Sequence, residues 1–198
     1  TMAPRTAAHD IQPGDTIGLK IALLGAPGVG KTSLHDAIMR QQVATPDFFR
    51  PTLGLSAEIR CWEYETITAR VQVLEGTAVP RFEQLIIPMT LRGANVVCIV
   101  FAINDPESKT RAKELLHSTR RILNESGSGN VPILLVANKI DLRGSGDSDD
   151  SQDDLDLGLE LVEVTCLDLT STDALLHRAV EVFVDKNMTL TKSAAAIR

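Results

Sequence analysis

Two apolar runs restrict the fold more than any other feature of the sequence. Residues 96–102 read Val-Val-Cys-Ile-Val-Phe-Ala, and residues 133–137 read Ile-Leu-Leu-Val-Ala. Neither run shows the apolar and polar alternation of a strand with one face in solvent. Strands of this kind are buried on both faces, so helices must cover both sides of their sheet. We therefore expect an α/β fold with a mostly parallel sheet.

The segments around these runs predict the same architecture, because apolar stretches of strand length alternate with longer stretches of helical periodicity. The predicted strands are residues 18–25, 55–63, 67–75, 95–102, 131–137 and 160–166, and the predicted helices are 31–42, 82–91, 107–126 and 171–187. Ser171 or Thr172 is a suitable N-cap for the last helix. Strands 55–63 and 67–75 are too close in sequence for a parallel crossover of about a dozen residues, so they predict a hairpin with an antiparallel edge strand.

Length and charge indicate one folded domain with additional segments. We expect a flexible N-terminal leader over 1–16, a domain over 17–187 and a C-terminal tail over 188–198 of the 198 residues. The formal net charge is -6, and the six aspartates in 144–156 account for all of it. This segment predicts a solvated acidic loop.

The rest of the sequence argues against a nucleic-acid partner and against a membrane-spanning helix. It is electrically neutral overall, so it lacks the positive surface that nucleic-acid backbones require, and we expect no nucleic-acid partner. The longest uncharged apolar run spans the eight residues 96–103, whereas a membrane-spanning helix needs about 20. We therefore expect no transmembrane segment.

A glycine-rich motif gives the strongest chemical signal. Residues 25–32 read Gly-Ala-Pro-Gly-Val-Gly-Lys-Thr and match G-x-x-x-x-G-K-[ST] between a predicted strand and a predicted helix. Glycines allow backbone N–H groups to turn inward around phosphate oxygens, and the following helix adds the positive end of its dipole. Lys31 can contact the outer phosphates, and Thr32 can offer a hydroxyl to Mg²⁺. The predicted phosphate-binding residues are Gly25, Ala26, Pro27, Gly28, Val29, Gly30, Lys31, Thr32 and Ser33.

A second motif predicts recognition of the nucleotide base. Asn-Lys-Ile-Asp at 138–141 directly follows the predicted strand 131–137. Asp141 can accept hydrogen bonds from N1–H and the exocyclic amine of guanine, whereas adenine has no matching donors. Asn138 can bind the base edge, and the stem of Lys139 can cover the ring. The motif predicts a guanine site.

Together these motifs resemble those of the Ras superfamily of small GTPases. Pro-Thr-Leu-Gly at 51–54 is similar to the first switch of the Rab branch, and residues 81–82 and 92–94 also follow Rab sequences. The resemblance covers about residues 17–187. It implies a P-loop NTPase fold with a six-stranded, mostly parallel sheet, one antiparallel edge strand and helices on both faces. It also implies GTP or GDP and Mg²⁺ as ligands.

The resemblance assigns further residues to this site. It implies that Thr52 completes the Mg²⁺ shell together with Thr32 and senses the γ-phosphate. Thr165 and Cys166 stand where the family contacts guanine through backbone N–H groups. Leu167 follows them in the same guanine-binding loop.

The second switch departs from the family pattern, in which a strand runs into Asp-x-x-Gly-Gln. That Asp holds Mg²⁺ through water, and the Gln orients the attacking water. If the sequences are aligned on residues 81–82, Glu75 stands at the position of the Asp and Val79 at that of the Gln. If they are aligned on residues 77–78, Gly76 stands at the position of the Asp and Pro80 at that of the Gln. Neither alignment leaves a Gln, so we predict a weak GTPase with very slow hydrolysis. Glu75 can still serve Mg²⁺, with one methylene more than Asp.

Two further positions differ from the family. Pro27 replaces a glycine that is common where a partner's arginine finger approaches, and it removes one backbone N–H from the loop. The aromatic residue that stacks on guanine in the family falls at Val43 when counted from Lys31. Phe48 or Phe49 takes this place if the loop is longer.

The resemblance implies a Rab-like switch in intracellular or vesicle traffic. Such a protein binds effector or complex proteins through 43–64 and 76–91 when GTP and Mg²⁺ order its loops. We expect a cytoplasmic protein, either free or at the surface of an organelle membrane. Rab-like proteins usually carry prenylated C-terminal cysteines, and none follows Cys166. Membrane association is therefore expected only if a lipidated tail lies beyond this sequence.

Two alternative functions remain open. The Gly-Ala-Pro-Gly-x-Gly-Lys string at 25–31 also resembles adenylate kinases, which favours a nucleotide kinase of the P-loop class. That alternative leaves the motif at 138–141 without a role. A non-hydrolysing scaffold subunit that uses the GTPase fold for protein contacts is the other alternative.

Overall fold

The computed structural model describes residues 11, 14–43, 58–76, 80–144 and 158–195, with only the backbone described at 80–81 and 188–195. Several predicted features lie outside these ranges. They are Thr52, Phe48, Phe49, Val79, most of the leader 1–16 and the acidic segment from residue 145 onward.

Six described strands form one sheet in the order β2-β3-β1-β4-β5-β6. They are β1 (Thr16–Gly25), β2 (Arg60–Tyr64), β3 (Ile67–Glu75), β4 (Val96–Ala102), β5 (Ile133–Asn138) and β6 (Leu161–Glu163). β2 runs antiparallel to β3 at one edge, and the other neighbouring pairs are parallel. The predicted mostly parallel sheet with an antiparallel edge strand is confirmed.

Helices cover both faces of the sheet. They are α1 (Lys31–Arg40), α2 (Pro80–Leu91), α3 (Pro106–Glu125) and α4 (Leu169–Ala195), with a short 3-10 helix at Ile140–Leu142. Apolar side chains of α1 and α4 pack into one core, and those of α2 and α3 pack into a second core on the opposite face. The structure is therefore a three-layer α/β sandwich in its described part.

Strand β4 explains why its sequence lacks alternation. Cys98 and Val100 lie in the core under α1 and α4, whereas Ile99 and Phe101 lie in the core under α2 and α3. All seven residues of the strand are buried. Burial on both faces selects apolar residues at every position, as the sequence predicted.

The first turn of α3 follows from local sequence. The Asp105 carboxylate accepts hydrogen bonds from the backbone N–H groups of Glu107 (3.1 Å) and Ser108 (3.2 Å). Pro106 occupies the first helical position, where its missing N–H costs nothing. This cap starts α3 one residue before the predicted 107.

The predicted N-cap of α4 is wrong. Neither Ser171 nor Thr172 begins the helix, which starts at Leu169. The Asp168 carboxylate accepts a hydrogen bond from the N–H of Thr170 at 2.9 Å and takes the capping role. Aspartate is as good a cap as serine, so the hydroxyls at 171 and 172 are available for other contacts.

Several other boundaries also differ from the prediction, most of all those of β2 and α4. β2 begins at Arg60, so residues 58 and 59 of the predicted strand 55–63 lie outside it. α4 continues to Ala195, beyond the predicted helix end at 187, so most of the predicted tail 188–198 has a helical backbone.

Candidate nucleotide-binding site

The residues of the predicted site lie at one edge of the sheet. The glycine-rich loop follows β1, residues 138–141 follow β5, and residues 165–167 follow β6. Glu75 ends β3. Because these strands are parallel, their carboxyl ends meet in a common crevice, the usual ligand position in open α/β sheets.

Gly30 shows how closely the phosphate loop approaches the guanine segment. Its φ angle is +93°, in the left-handed region that favours glycine. A Cβ at this position would lie 2.3 Å from Nδ2 of Asn138. The position therefore requires glycine both for its backbone conformation and for the contact.

Lys31 is held inside the phosphate loop. Its Nζ donates hydrogen bonds to the carbonyl oxygens of Gly25 (2.9 Å) and Ala26 (2.7 Å), and the residue is only 6% exposed. Burial lowers the pKa of Lys31 to about 8, although the charges of Glu75 and Glu83 oppose this shift. The loop thus keeps an ammonium group beside the backbone that would surround phosphate.

Two of the three predicted metal ligands contact each other. The Thr32 hydroxyl donates a hydrogen bond to Oε2 of Glu75 at 2.9 Å. Burial raises the pKa of Glu75, against the opposing effects of this hydrogen bond and of the nearby His35 and Lys31. A hydroxyl and a carboxylate that converge from α1 and β3 are oxygen donors of the kind Mg²⁺ prefers. The residues present therefore fit a magnesium site.

The guanine segment is bound to the phosphate loop by two hydrogen bonds. Asn138 is buried, and its Nδ2 donates to the carbonyl oxygen of Val29 at 2.8 Å. Lys139 has a φ of +65°, and its Nζ donates to the carbonyl oxygen of Gly28 at 2.7 Å. We name this pair of contacts, Asn138–Val29 and Lys139–Gly28, the loop clamp.

Asp141 is oriented from the loop after β6. The Thr165 hydroxyl donates to Oδ1 of Asp141 at 2.5 Å and accepts from the N–H of Leu167 at 3.2 Å. The N–H of Thr165 donates to the Ser171 hydroxyl oxygen at 3.0 Å. The backbone donors of Thr165 and Leu167 are therefore engaged within the protein, while Asp141 is exposed and can accept from a ligand.

Sequence reasoning missed the side-chain role of Thr165 and the anchoring role of Ser171. Both depend on contacts between residues that are distant or in different elements, so no local pattern reveals them. The available signal is the set of short hydroxyl side chains in the segment before α4, which commonly bond to nearby backbone or carboxylate groups.

The remaining predicted positions that the structure describes differ in exposure. Pro27 and Gly28 are exposed at the tip of the phosphate loop, and Ser33 is half-buried in the first turn of α1. Val43, one of three candidates for stacking on the base, is 48% exposed. Pro80, one of the two positions aligned with the family's Gln, begins α2.

Comparison with known families decides the classification. The model of the Ras family matches residues 20–187. This chain belongs to the Ras family. Members of this family are small GTPases, and the fold described above is theirs.

The individual relatives of this Ras-family chain come from fungi and plants. "Mitochondrial Rho GTPase 1" of Cryptococcus neoformans is 32% identical over 128 residues, which cover 64% of this chain and 17% of that protein. "GTP-binding protein YPTM2" of Zea mays is 32% identical over 123 residues, which cover 62% of this chain and 57% of that protein. "Ras-related protein RIC1" of Oryza sativa is 30% identical over 128 residues, with the same two coverages.

These matches span less than two thirds of each relative, and under a fifth of the fungal protein. The relatives carry names of different branches, so the Rab-like role remains a prediction. Within the described ranges, no helix of this Ras-family member has the length and apolar character needed to cross a membrane.

Proposed function

We propose that this Ras-family protein is a molecular switch that binds guanine nucleotide with Mg²⁺ and hydrolyses GTP very slowly. The loop clamp carries this proposal, because it joins a phosphate-binding loop to a guanine-type segment in one crevice. One nucleotide can therefore contact both. Its phosphates would lie in the loop and its base beside Asp141.

The geometry of Lys31 supports phosphate binding. Its ammonium group bonds to two loop carbonyls and is mostly removed from water. A phosphate oxygen would bring a negative charge close to this buried cation, so binding should raise the pKa of Lys31 back toward its ordinary value. A bound Mg²⁺ would neutralise phosphate charge, and Thr32 and Glu75 are the described residues placed to hold it, with Thr52 as a third ligand.

The contact between Thr32 and Glu75 also supports one alignment of the second switch. It favours the alignment in which Glu75 takes the place of the family's Asp, so Val79 rather than Pro80 takes the place of Gln. A valine side chain has no group that orients water. We therefore expect single-turnover hydrolysis slower than the roughly 10⁻⁴ s⁻¹ of Ras without its activator.

Helix α2 offers the surface that would bind protein partners. Phe82, Leu85 and Met89 are 39%, 64% and 49% exposed and recur at helical spacing, which gives an apolar stripe on the helix. Ile59, directly before β2, is also 56% exposed. We propose that effector or complex proteins bind through 43–64 and 76–91, in a Rab-like role in intracellular or vesicle traffic.

Identification of the co-purified nucleotide tests this function. The protein is denatured, and the released nucleotide is separated by HPLC. We expect GTP, or a mixture of GTP and GDP. Bound ATP would instead favour the nucleotide kinase, and neither bound nucleotide nor micromolar affinity for GDP would favour the scaffold.

A single substitution tests the base assignment. Asp141→Asn replaces an acceptor by an amide whose N–H₂ can donate to the 2-oxo group of xanthine. We expect the affinity for GDP to fall at least about 100-fold, as expected for leaving the donors of guanine unpaired, and the affinity for xanthosine diphosphate to rise. Asp168→Asn, at an acidic residue that caps α4, serves as the matched control. Unchanged GDP affinity in Asp141→Asn would show that this carboxylate does not bind the base.

A further inference from the structure

The Asn138 side chain is fixed at both ends of its amide. Its Nδ2 donates to the carbonyl oxygen of Val29 at 2.8 Å, as part of the loop clamp. Its Oδ1 lies 3.6 Å from Sγ of Cys166, within the range of a thiol hydrogen bond. Asn138 is 1% exposed and Cys166 is 6% exposed, so water has little access to either group.

The thiol is the hydrogen-bond donor that the described residues offer to this oxygen. The preceding hydroxyl, on Thr165, is committed to Asp141. Val164, which lies before it and is fully buried, has no polar side-chain atom. Without Cys166, the buried Oδ1 of Asn138 would lose its donor, and a buried acceptor without a partner is unfavourable.

We propose that Cys166 is a positioning residue for guanine binding, which acts by holding the Asn138 amide in a single orientation. This inference rests on the proposed nucleotide-binding function. With Oδ1 bonded to the thiol, Nδ2 is directed at the phosphate loop. If the amide turned over, its oxygen would face the carbonyl oxygen of Val29 and the clamp would lose one of its two bonds.

The chemistry of the buried thiol is suited to this role. Burial raises the pKa of Cys166 to about 11, so the sulfur keeps its proton throughout the neutral range. A protonated thiol donates a hydrogen bond, whereas a thiolate would repel the amide oxygen. The same burial disfavours the reactive thiolate form that oxidation and alkylation require.

Three variants test the proposal through the dissociation constant of a fluorescent GDP analogue. Cys166→Ala removes the donor and should weaken GDP binding about 3- to 10-fold, the value of one modest hydrogen bond. Cys166→Ser restores a donor and should bind within about 2-fold of the unmodified protein. Cys98→Ala removes another buried thiol, in β4 and outside the site, and should leave the affinity within the same limit.

A double-mutant cycle separates positioning from packing. If Cys166 acts through Asn138, then Cys166→Ala should cause less than about a 2-fold further loss in an Asn138→Ala background. An equal loss in both backgrounds would show that Cys166 acts by another route and would overturn the proposal. So would GDP affinity in Cys166→Ala equal to that of the unmodified protein.

The failure of this inference can be distinguished from failure of the proposed function. If the unmodified protein does not bind the GDP analogue, the nucleotide-binding function itself is wrong. If it binds and Cys166→Ala binds equally well, only the role of Cys166 is wrong. Thermal unfolding of each variant, measured without nucleotide, identifies any that fail to fold. Cys166→Ser then carries the test through its rescue of binding.

Discussion

Replacing Lys31 with methionine should stabilise the nucleotide-free protein at neutral pH and abolish nucleotide binding. Methionine has a similar length and no charge, so it fits the space that the lysine stem occupies. The substitution removes an ammonium group that is 6% exposed and has no phosphate to pair with. The fold therefore keeps this cation at a net cost, which a bound phosphate would offset.

The size of this cost follows from the pKa of Lys31, which burial lowers from 10.5 to about 8. Because lowering a pKa by one corresponds to about 1.4 kcal/mol, the charged form costs the folded state roughly 3 kcal/mol at pH 7. Methionine also loses the hydrogen bonds to Gly25 and Ala26, worth about 1 kcal/mol each. The expected net gain in unfolding free energy is about 1 kcal/mol.

The pH dependence provides the sharper measurement. Between pH 8 and 10.5 the unfolded chain keeps the Lys31 proton while the folded protein releases it, so the stability of the unmodified protein rises with pH in this window. The advantage of Lys31→Met should therefore shrink by up to about 1.4 kcal/mol for each increase of one in pH above pH 8. Urea unfolding of both nucleotide-free proteins from pH 7 to 10 measures the difference.

Comparison of the two proteins cancels the titration of all other groups. Arg70→Met, which removes an exposed charge on β3, controls for the general loss of one positive charge. A stability difference between Lys31→Met and the unmodified protein that stays constant from pH 7.5 to 9.5 would refute the reasoning, because it would mean that the buried charge carries no cost.

Three other predictions test neighbouring parts of the structure. Gly30→Ala should lower the unfolding free energy by about 2–4 kcal/mol in urea unfolding, because the backbone there is left-handed and the added Cβ collides with Asn138. The control Gly28→Ala should cost only about 1 kcal/mol, because its added Cβ contacts nothing within 4 Å. Val79→Gln should accelerate single-turnover GTP hydrolysis and Pro80→Gln should not; the reverse result would favour the other alignment of the second switch. Deletion of residues 144–156 should leave GDP affinity within about 2-fold, because all predicted nucleotide and metal ligands lie outside this segment. A large loss would show that the acidic segment supports the base site.

The fold was largely predictable because its signals are local. The unbroken apolar runs of β4 and β5 required a covered sheet, and the motif at 25–32 required a strand before it and a helix after it. The start of α4 was not predictable, because Asp168, Ser171 and Thr172 are all competent caps and only their tertiary contacts separate them. Ser171 bonds to Thr165, in the loop before the helix, which leaves Asp168 to cap.

The motifs of the candidate site were predictable from the sequence, whereas the side-chain contacts between them were not. The residue types at 25–32 and 138–141 predict phosphate and base recognition without any structure. The contact between Thr32 and Glu75 joins residues 43 positions apart, and that between Asn138 and Cys166 joins residues 28 apart. Such pairs follow from strand order and side-chain direction, which a single sequence specifies only through the complete fold.

The loop clamp has a consequence for nucleotide exchange. Because Asn138 and Lys139 bond to the backbone of the loop that would hold the phosphates, the two ends of a bound nucleotide do not contact independent parts of the protein. A regulator that displaces the phosphate loop would also displace residues 138 and 139, so a change at the phosphate end would weaken binding of the base. Release should then be cooperative along the ligand: loosening its phosphates lowers the barrier for its base to leave.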